Sequence, residues 1–169
     1  MNIGWFARLE EGVLTFMRKT ILWLIVVLVM GVIFLSSHEP AVASRQDSLF
    51  ITEKVMEFLH STFPNLYMDG ESLHHIVRKS AHFIIYMILG VCTFAACMQN
   101  RKAVSYNVVL TMVICVLYAI SDETHQLFIP GRSGEVGDVF IDGFGALIGV
   151  VIGLAIKWVV RRTRKLDQN

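Results

Sequence analysis

Four apolar stretches, residues 20–37, 80–98, 103–121 and about 139–160, are separated by clusters of charged residues. Each is long enough to cross a hydrocarbon core, which takes about 20 helical residues. Inside lipid the backbone has no water to bond, so a spanning segment must satisfy its own amides and carbonyls, as a helix does. The chain is therefore expected to be an all-α, polytopic integral membrane protein, a four-helix transmembrane bundle. Composition agrees, with 54% hydrophobic residues, 17% charged and a mean hydropathy of +0.58. The 169 residues show no internal repeat and no low-complexity tract, so a single domain over 1–169 is expected.

Orientation follows from charge, because Lys and Arg gather on the cytoplasmic side. With both termini inside, Arg8, Arg18, Lys19, Arg101, Lys102, Lys157, Arg161, Arg162, Arg164 and Lys165 are cytoplasmic, ten of the fifteen basic residues. Only Arg45, Lys54, Arg78, Lys79 and Arg132 then lie outside, beside eleven of the fourteen acids. The reverse arrangement fails this test, so an N-in/C-in topology is expected, and a formal net charge of +1 conceals a polarised molecule. The first apolar run has a competing reading as a signal peptide, with Ala41-Val42-Ala43 before Ser44 as the cleavage site; its length favours a retained helix. The leading segment 4–17, with Trp5, Phe6, Leu9, Val13 and Phe16 at mixed helical spacings, is expected on the inner membrane surface.

An extracytoplasmic segment, residues 38–79, connects the first two spans. Its middle, 48–63, places Ile51, Val55, Phe58, Leu59 and Thr62 on one helical stripe opposite Glu53, Lys54, Glu57 and His60, which predicts an amphipathic helix. Pro64-Asn65 should end it, and Asp69-Gly70 should form a turn. Cys92, Cys97 and Cys115 all fall inside predicted spans, where small packing residues are expected rather than disulfides. No CxxC, HExxH or glycine-rich phosphate loop is present, so the sequence assigns no metal and no cofactor. Whether an ion joins the acidic cluster described next stays open.

The chemistry-bearing residues crowd at the outer ends of spans two, three and four. His75, Arg78, Lys79, His82 and Tyr86 recur at spacings of three, four and seven and stack along one helical face. On the third span Asp122 and Gln126 stand one turn apart with Glu123 beside them; on the fourth, Asp138 and Asp142 are again one turn apart. Asp142 lies at membrane depth, where an unpaired carboxylate is costly. It is followed by Gly145, Gly149 and Gly153, which suit close approach of a neighbouring helix. With Arg132 in the loop, these groups are expected to meet in one polar pocket, either as a functional site or as buried ion pairs that hold the helices in register.

Three motifs carry a resemblance. Arg78-Lys79-x-Ala81-His82-Phe83-x-x-Tyr86-x-x-Leu89-Gly90, then Ser121-Asp122-Glu123-x-x-Gln126-x-Phe128-x-Pro130-Gly131-Arg132, then Asp138-x-x-x-Asp142-x-x-Gly145-Ala146-x-x-Gly149 resemble the VanZ-like family of bacterial membrane proteins, over about residues 32–153. The resemblance implies a multi-pass protein of the bacterial cytoplasmic membrane and cell envelope, in a family whose founding member is associated with resistance to the glycopeptide antibiotic teicoplanin. It does not supply a molecular activity. His38-Glu39-Pro40 departs from the pattern, where many relatives carry a glutamine or similar residue.

Two classes of function remain. In the first, the protein handles or modifies a lipid-linked anionic envelope precursor at the outer membrane face. Arg78, Lys79 and Arg132 would clamp a phosphate or carboxylate. Asp122 or Glu123 would serve as general base and His82 as general acid, with Asp142 in the same catalytic group and Tyr86, Gln126 and Asp138 lining the substrate site. In the second, a non-catalytic binding or accessory protein shields a surface target through the same cluster. A proton or solute pathway is disfavoured, because spans one and three carry no ionisable residue at mid-membrane depth. The lipid bilayer is the expected partner, and nucleic acid is not.

Overall fold

The computed structural model describes residues 3–62, 69–100 and 102–166, and their side chains except those of 3–11, 41–48, 59–60 and 165–166. Five helices follow in order: α1 (Ile3–His38), α2 (Ala41–Thr62), α3 (Gly70–Cys97), α4 (Val104–Gln126) and α5 (Val136–Leu166), with no strand among the described residues. Stretches of α1, α3, α4 and α5 are long and apolar enough to cross a membrane. The expected all-α bundle of four spans is therefore present.

Each spanning helix buries a narrow stripe and leaves the rest of its apolar surface open, as suits a chain whose outer solvent is lipid. On α1 the buried positions are Val26, Ile33 and Ser37, while Leu24, Val27, Leu28 and Leu35 are exposed. On α4 they are Asn107, Thr111, Cys115, Ala119, Asp122, Glu123 and Gln126, a stripe repeating mostly every four residues. That stripe runs from polar through small apolar to acidic. Helix α3 touches all four others and packs most extensively on α5.

The α3/α5 contact depends on missing side chains. A β-carbon at Gly149 would strike the Met87 carbonyl oxygen and lie 2.9 Å from the Val91 nitrogen, and one at Gly145 would strike the Phe83 carbonyl oxygen. Backbone meets backbone here, the small-residue packing expected from the sequence. The helix α1 is equally part of the bundle: the Tyr118 hydroxyl donates to the Met30 carbonyl at 2.5 Å, and Val26 and Ile33 sit in the core with Tyr86, Leu89 and Ala119.

Helix boundaries differ from expectation in one consistent way. α3 begins at Gly70 rather than 80, because Asp69 caps it: its carboxylate accepts from the Ser72 amide and hydroxyl, both at 2.7 Å. Those bonds hold Asp69's carboxyl below its ordinary pKa. The expected turn at Asp69-Gly70 is thus a helix start. α1 likewise runs unbroken from Ile3, so residues 4–17 belong to the same helix as the first span; Trp5, Phe6 and Leu9 lie outside the described side chains. Hydropathy marks the lipid-compatible part of a helix, whereas capping decides where it starts.

The expected helix is present within α2. Thr52 is buried and Val55 and Met56 are half-buried, whereas Ile51 and Phe58 are exposed. Of the expected apolar stripe, Ile51 and Phe58 thus face away from the bundle and Val55 is partly covered by it. Leu59, His60, Pro64 and Asn65 lie outside the described side chains.

Candidate functional site

The acidic residues sit on the last two turns of α4. Asp122, Glu123 and Gln126 are all buried, and Asp142 on α5 is 0% exposed. The helix continues through Gln126, so Asp122 and Gln126 fall one turn apart on the inward face, as their spacing predicts. Ser37, from the far end of α1, donates to Asp122 Oδ2 at 2.9 Å. The Gln126 amide donates to Asp122 Oδ2 at 3.4 Å and Glu123 Oε1 at 3.2 Å, and its own carbonyl accepts from Arg78 at 3.1 Å. Glu123 Oε2 accepts from the backbone amide of Glu135 at 2.9 Å. That amide lies next to the start of α5, where unpaired N–H groups favour a carboxylate.

The basic residues go elsewhere. Lys79 pairs with Asp138 at 2.6 Å and Glu135 at 3.3 Å, tying α3 to the start of α5. Arg132 donates through Nε to the Glu39 carbonyl at 2.8 Å and through Nη2 to the Ser36 carbonyl at 2.7 Å. It thereby satisfies carbonyls at the C-terminal end of α1, where a cation is favoured. Burial, then the charge of Arg78, lowers the pKa of Arg132, yet a guanidinium stays cationic. The expected scheme of mutually neutralising pairs holds only for Lys79 with Asp138 and Glu135. Among the described residues, no Lys or Arg lies within ion-pair distance of Asp122, Glu123 or Asp142.

Three of these side chains converge more tightly still. Donor atoms of His82, Asp122 and Asp142 all lie within 4.8 Å of one another, and His82 Nδ1 is 4.0 Å from Asp142 Oδ2. His82 Nδ1, Asp122 Oδ1 and both Asp142 oxygens are buried without a hydrogen-bond partner, as is the hydroxyl of Tyr86, one helical turn from His82. Nitrogen and carboxylate oxygen donors at such separations are of the kind that hold a divalent cation.

Every residue of the expected pocket is therefore at one end of the bundle. Arg78, Lys79, His82 and Tyr86 come from α3, Asp122, Glu123 and Gln126 from α4, Arg132 from the loop, and Asp138 and Asp142 from α5. His75 stands apart, exposed at the outer part of its stripe. Sequence reasoning missed Ser37, Glu135 and the pairing of His38 Nδ1 with His125 Nε2 at 3.2 Å. For Ser37 a signal exists, since Ser36-Ser37 ends the first apolar run with two hydroxyls.

A groove of about 430 Å³ runs between α4 and α5, its wall formed by apolar residues including Ile120, Leu127, Val136 and Phe140, with Glu123 among the residues lining it. It opens on the outer side of the bundle, where those four side chains are exposed.

The four apolar helices fit a multi-pass protein associated with a lipid bilayer. Neither a curated protein nor a solved structure matches the chain. A sequence model of the family described as VanZ/LLP1 does match, over residues 22–157, a range that takes in the second and third spans, most of the first and fourth, the acidic end of α4 and the Asp138/Asp142 pair, and the chain belongs to that family.

Proposed function

We propose that this cluster is the working site of a bacterial cell-envelope protein that handles or modifies a lipid-linked anionic envelope precursor at the extracytoplasmic face of the cytoplasmic membrane, and so influences susceptibility to teicoplanin-type glycopeptides. The observation that carries this reading is the groove between α4 and α5, whose lining is mostly apolar and includes Glu123, a member of the polar cluster. A lipid tail fits the apolar part, and the head group would then meet the polar end. Arg78 makes a single bond to Gln126 and Arg132 keeps Nη1 unbonded, so these two cations have capacity left for an anion. Lys79 is already engaged by two acids and serves chiefly to hold α3 against α5.

Glu123 suits the role of general base better than Asp122 on the ground of position: it is among the residues that line the groove and Asp122 is not, and each of its oxygens accepts a hydrogen bond, from Gln126 and from the Glu135 amide, that orients the carboxylate. The second reading, a non-catalytic protein that shields a surface target, draws support from the hydrogen bonds of Ser37, Gln126 and Arg132, which stitch α1 to the α4 end as a scaffold would.

The discriminating experiment reconstitutes pure protein in nanodiscs containing a bacterial lipid extract, including undecaprenyl-linked precursors, and follows lipids by mass spectrometry. An enzyme consumes one species with turnover, and Glu123→Gln lowers that turnover at least tenfold at unchanged protein levels. A binder retains one species stoichiometrically without converting it. Neither turnover nor enrichment of any anionic lipid would defeat both readings.

A further inference from the structure

We propose that His82, Asp122 and Asp142 form a first-row divalent-cation site, for Zn²⁺ or Mn²⁺, beneath the polar pocket. The inference goes beyond the lipid-handling reading and stands without it, since an ion here would organise the bundle whatever the pocket binds.

The first argument is charge. Two carboxylates, one of them fully buried, lie inside an apolar bundle near one end, and among the described residues no Lys or Arg is within ion-pair distance of either: Lys79 pairs with Asp138 and Glu135, Arg78 donates to Gln126 and Arg132 to main-chain carbonyls. An uncompensated carboxylate in such surroundings is costly. One dication and two carboxylates sum to zero, and a neutral imidazole completes the set without adding charge.

The second argument is the placement of free atoms. Asp122 has one oxygen committed, Oδ2 to Ser37 and Gln126, and the other, Oδ1, buried and unbonded. A carboxylate fixed through one oxygen and open through the other is how outer hydrogen bonds orient a metal ligand. Asp142, 0% exposed, has both oxygens unbonded, and His82 Nδ1 is likewise unbonded. Three segments thus deliver free donor atoms to one point within 4.8 Å of one another. The edge of a tetrahedral Zn²⁺ site with 2.0–2.2 Å bonds is about 3.4 Å, so binding draws the three together by side-chain rotation. Three protein ligands leave a coordination position open. With the ion bound, His82 and Asp122 act as ligands, and proton transfer in the pocket falls to Glu123.

The test measures metal itself. Protein purified in detergent without chelator is analysed by inductively coupled plasma mass spectrometry; after EDTA treatment, its melting temperature is followed while ZnCl₂ or MnCl₂ is added. The wild type should carry close to one equivalent of Zn or Mn and, once stripped, should melt several degrees higher with the ion restored. Asp142→Asn and His82→Gln should each lose most of the bound metal and the melting response, whereas Glu53→Gln on α2 should keep both. Asp142→Leu guards against a folding artefact: removing a buried charge should leave the stripped protein at least as stable as stripped wild type, yet indifferent to metal. A wild type with negligible metal and no melting response to either ion, or variants that retain full metal content, would overturn the proposal. Because no lipid enters these measurements, a failed lipid assay with metal present would sink the function reading alone.

Discussion

Arg132 shows what a single side chain does at this end of the molecule. Its guanidinium reaches two carbonyls near the end of α1, Ser36 and Glu39, from a loop more than ninety positions away in sequence. Only a planar fork with several donors meets both at once. Arg132→Gln leaves buried acceptors unpaired, which costs about 1–3 kcal/mol; the expected outcome is a lower melting temperature in detergent and weaker accumulation. Arg132→Lys should recover only part of the loss, since one ammonium cannot serve both carbonyls in the same geometry. Full recovery by lysine would mean that charge alone matters there. Glu123→Gln should behave oppositely, reducing function while sparing stability, because the amide keeps an acceptor for the Glu135 N–H.

Among the elements, the α3/α5 pair is the one with least freedom. Gly145 and Gly149 of α5 lie against the α3 backbone, so any side chain there separates the helices and displaces Asp142 from His82. Gly149→Leu is expected to prevent accumulation of folded protein, which a fluorescence size-exclusion profile reports directly. Gly31 on α1 provides the contrast, having nothing within 4 Å of an added β-carbon. Gly31→Ala should be neutral or stabilising by up to about 1 kcal/mol, the helix-propensity difference. Equal tolerance at both positions would contradict the close packing. The loop between α4 and α5 has its own glycine requirement at Gly131, whose φ of 75° is in the left-handed region.

For the whole molecule, the distribution of basic residues carries a prediction that the bundle's geometry does not contain. Arg18, Lys19, Lys102, Lys157, Arg161, Arg162 and Arg164 fall at one end, and the acidic pocket at the other. Placing the basic end in the cytoplasm, Gly70→Cys and Ser133→Cys should react with a membrane-impermeant maleimide in intact cells, while Lys102→Cys and Arg164→Cys should not. Ser133 is the better loop position because a β-carbon at Gly134 would strike the Glu123 carbonyl oxygen. Protection at 70 and 133 with labelling at 102 would invert the topology and remove the pocket from the outer face. The same membranes test the first helix. Because α1 supplies Val26, Ile33 and Ser37 to the interior, the mature protein should keep its full mass; a terminus at Ser44 would remove Ser37 from Asp122.

What the sequence determined by itself was the local physics: which stretches are apolar over a bilayer's thickness, that they are helical, and which polar residues share a face. Asp122 with Gln126, and Lys79 with His82, Tyr86 and the rest of their stripe, follow from a period of 3.6 residues, and the inward glycines of α5 from their four-residue spacing. Tertiary structure decided who bonds to whom. Ser37 meets Asp122 across 85 positions, Lys79 takes Asp138 rather than a deeper acid, and Arg132 turns to the end of α1. It also turned α2 so that Thr52 rather than Ile51 or Phe58 faces the bundle. Such choices depend on the rotation and depth of each helix against its neighbours, which the backbone contact at Gly145 and Gly149 sets for α3 and α5. For the same reason no spacing motif announces His82, Asp122 and Asp142 as a group. Each comes from a different helix, and only the packed bundle brings their free donor atoms together.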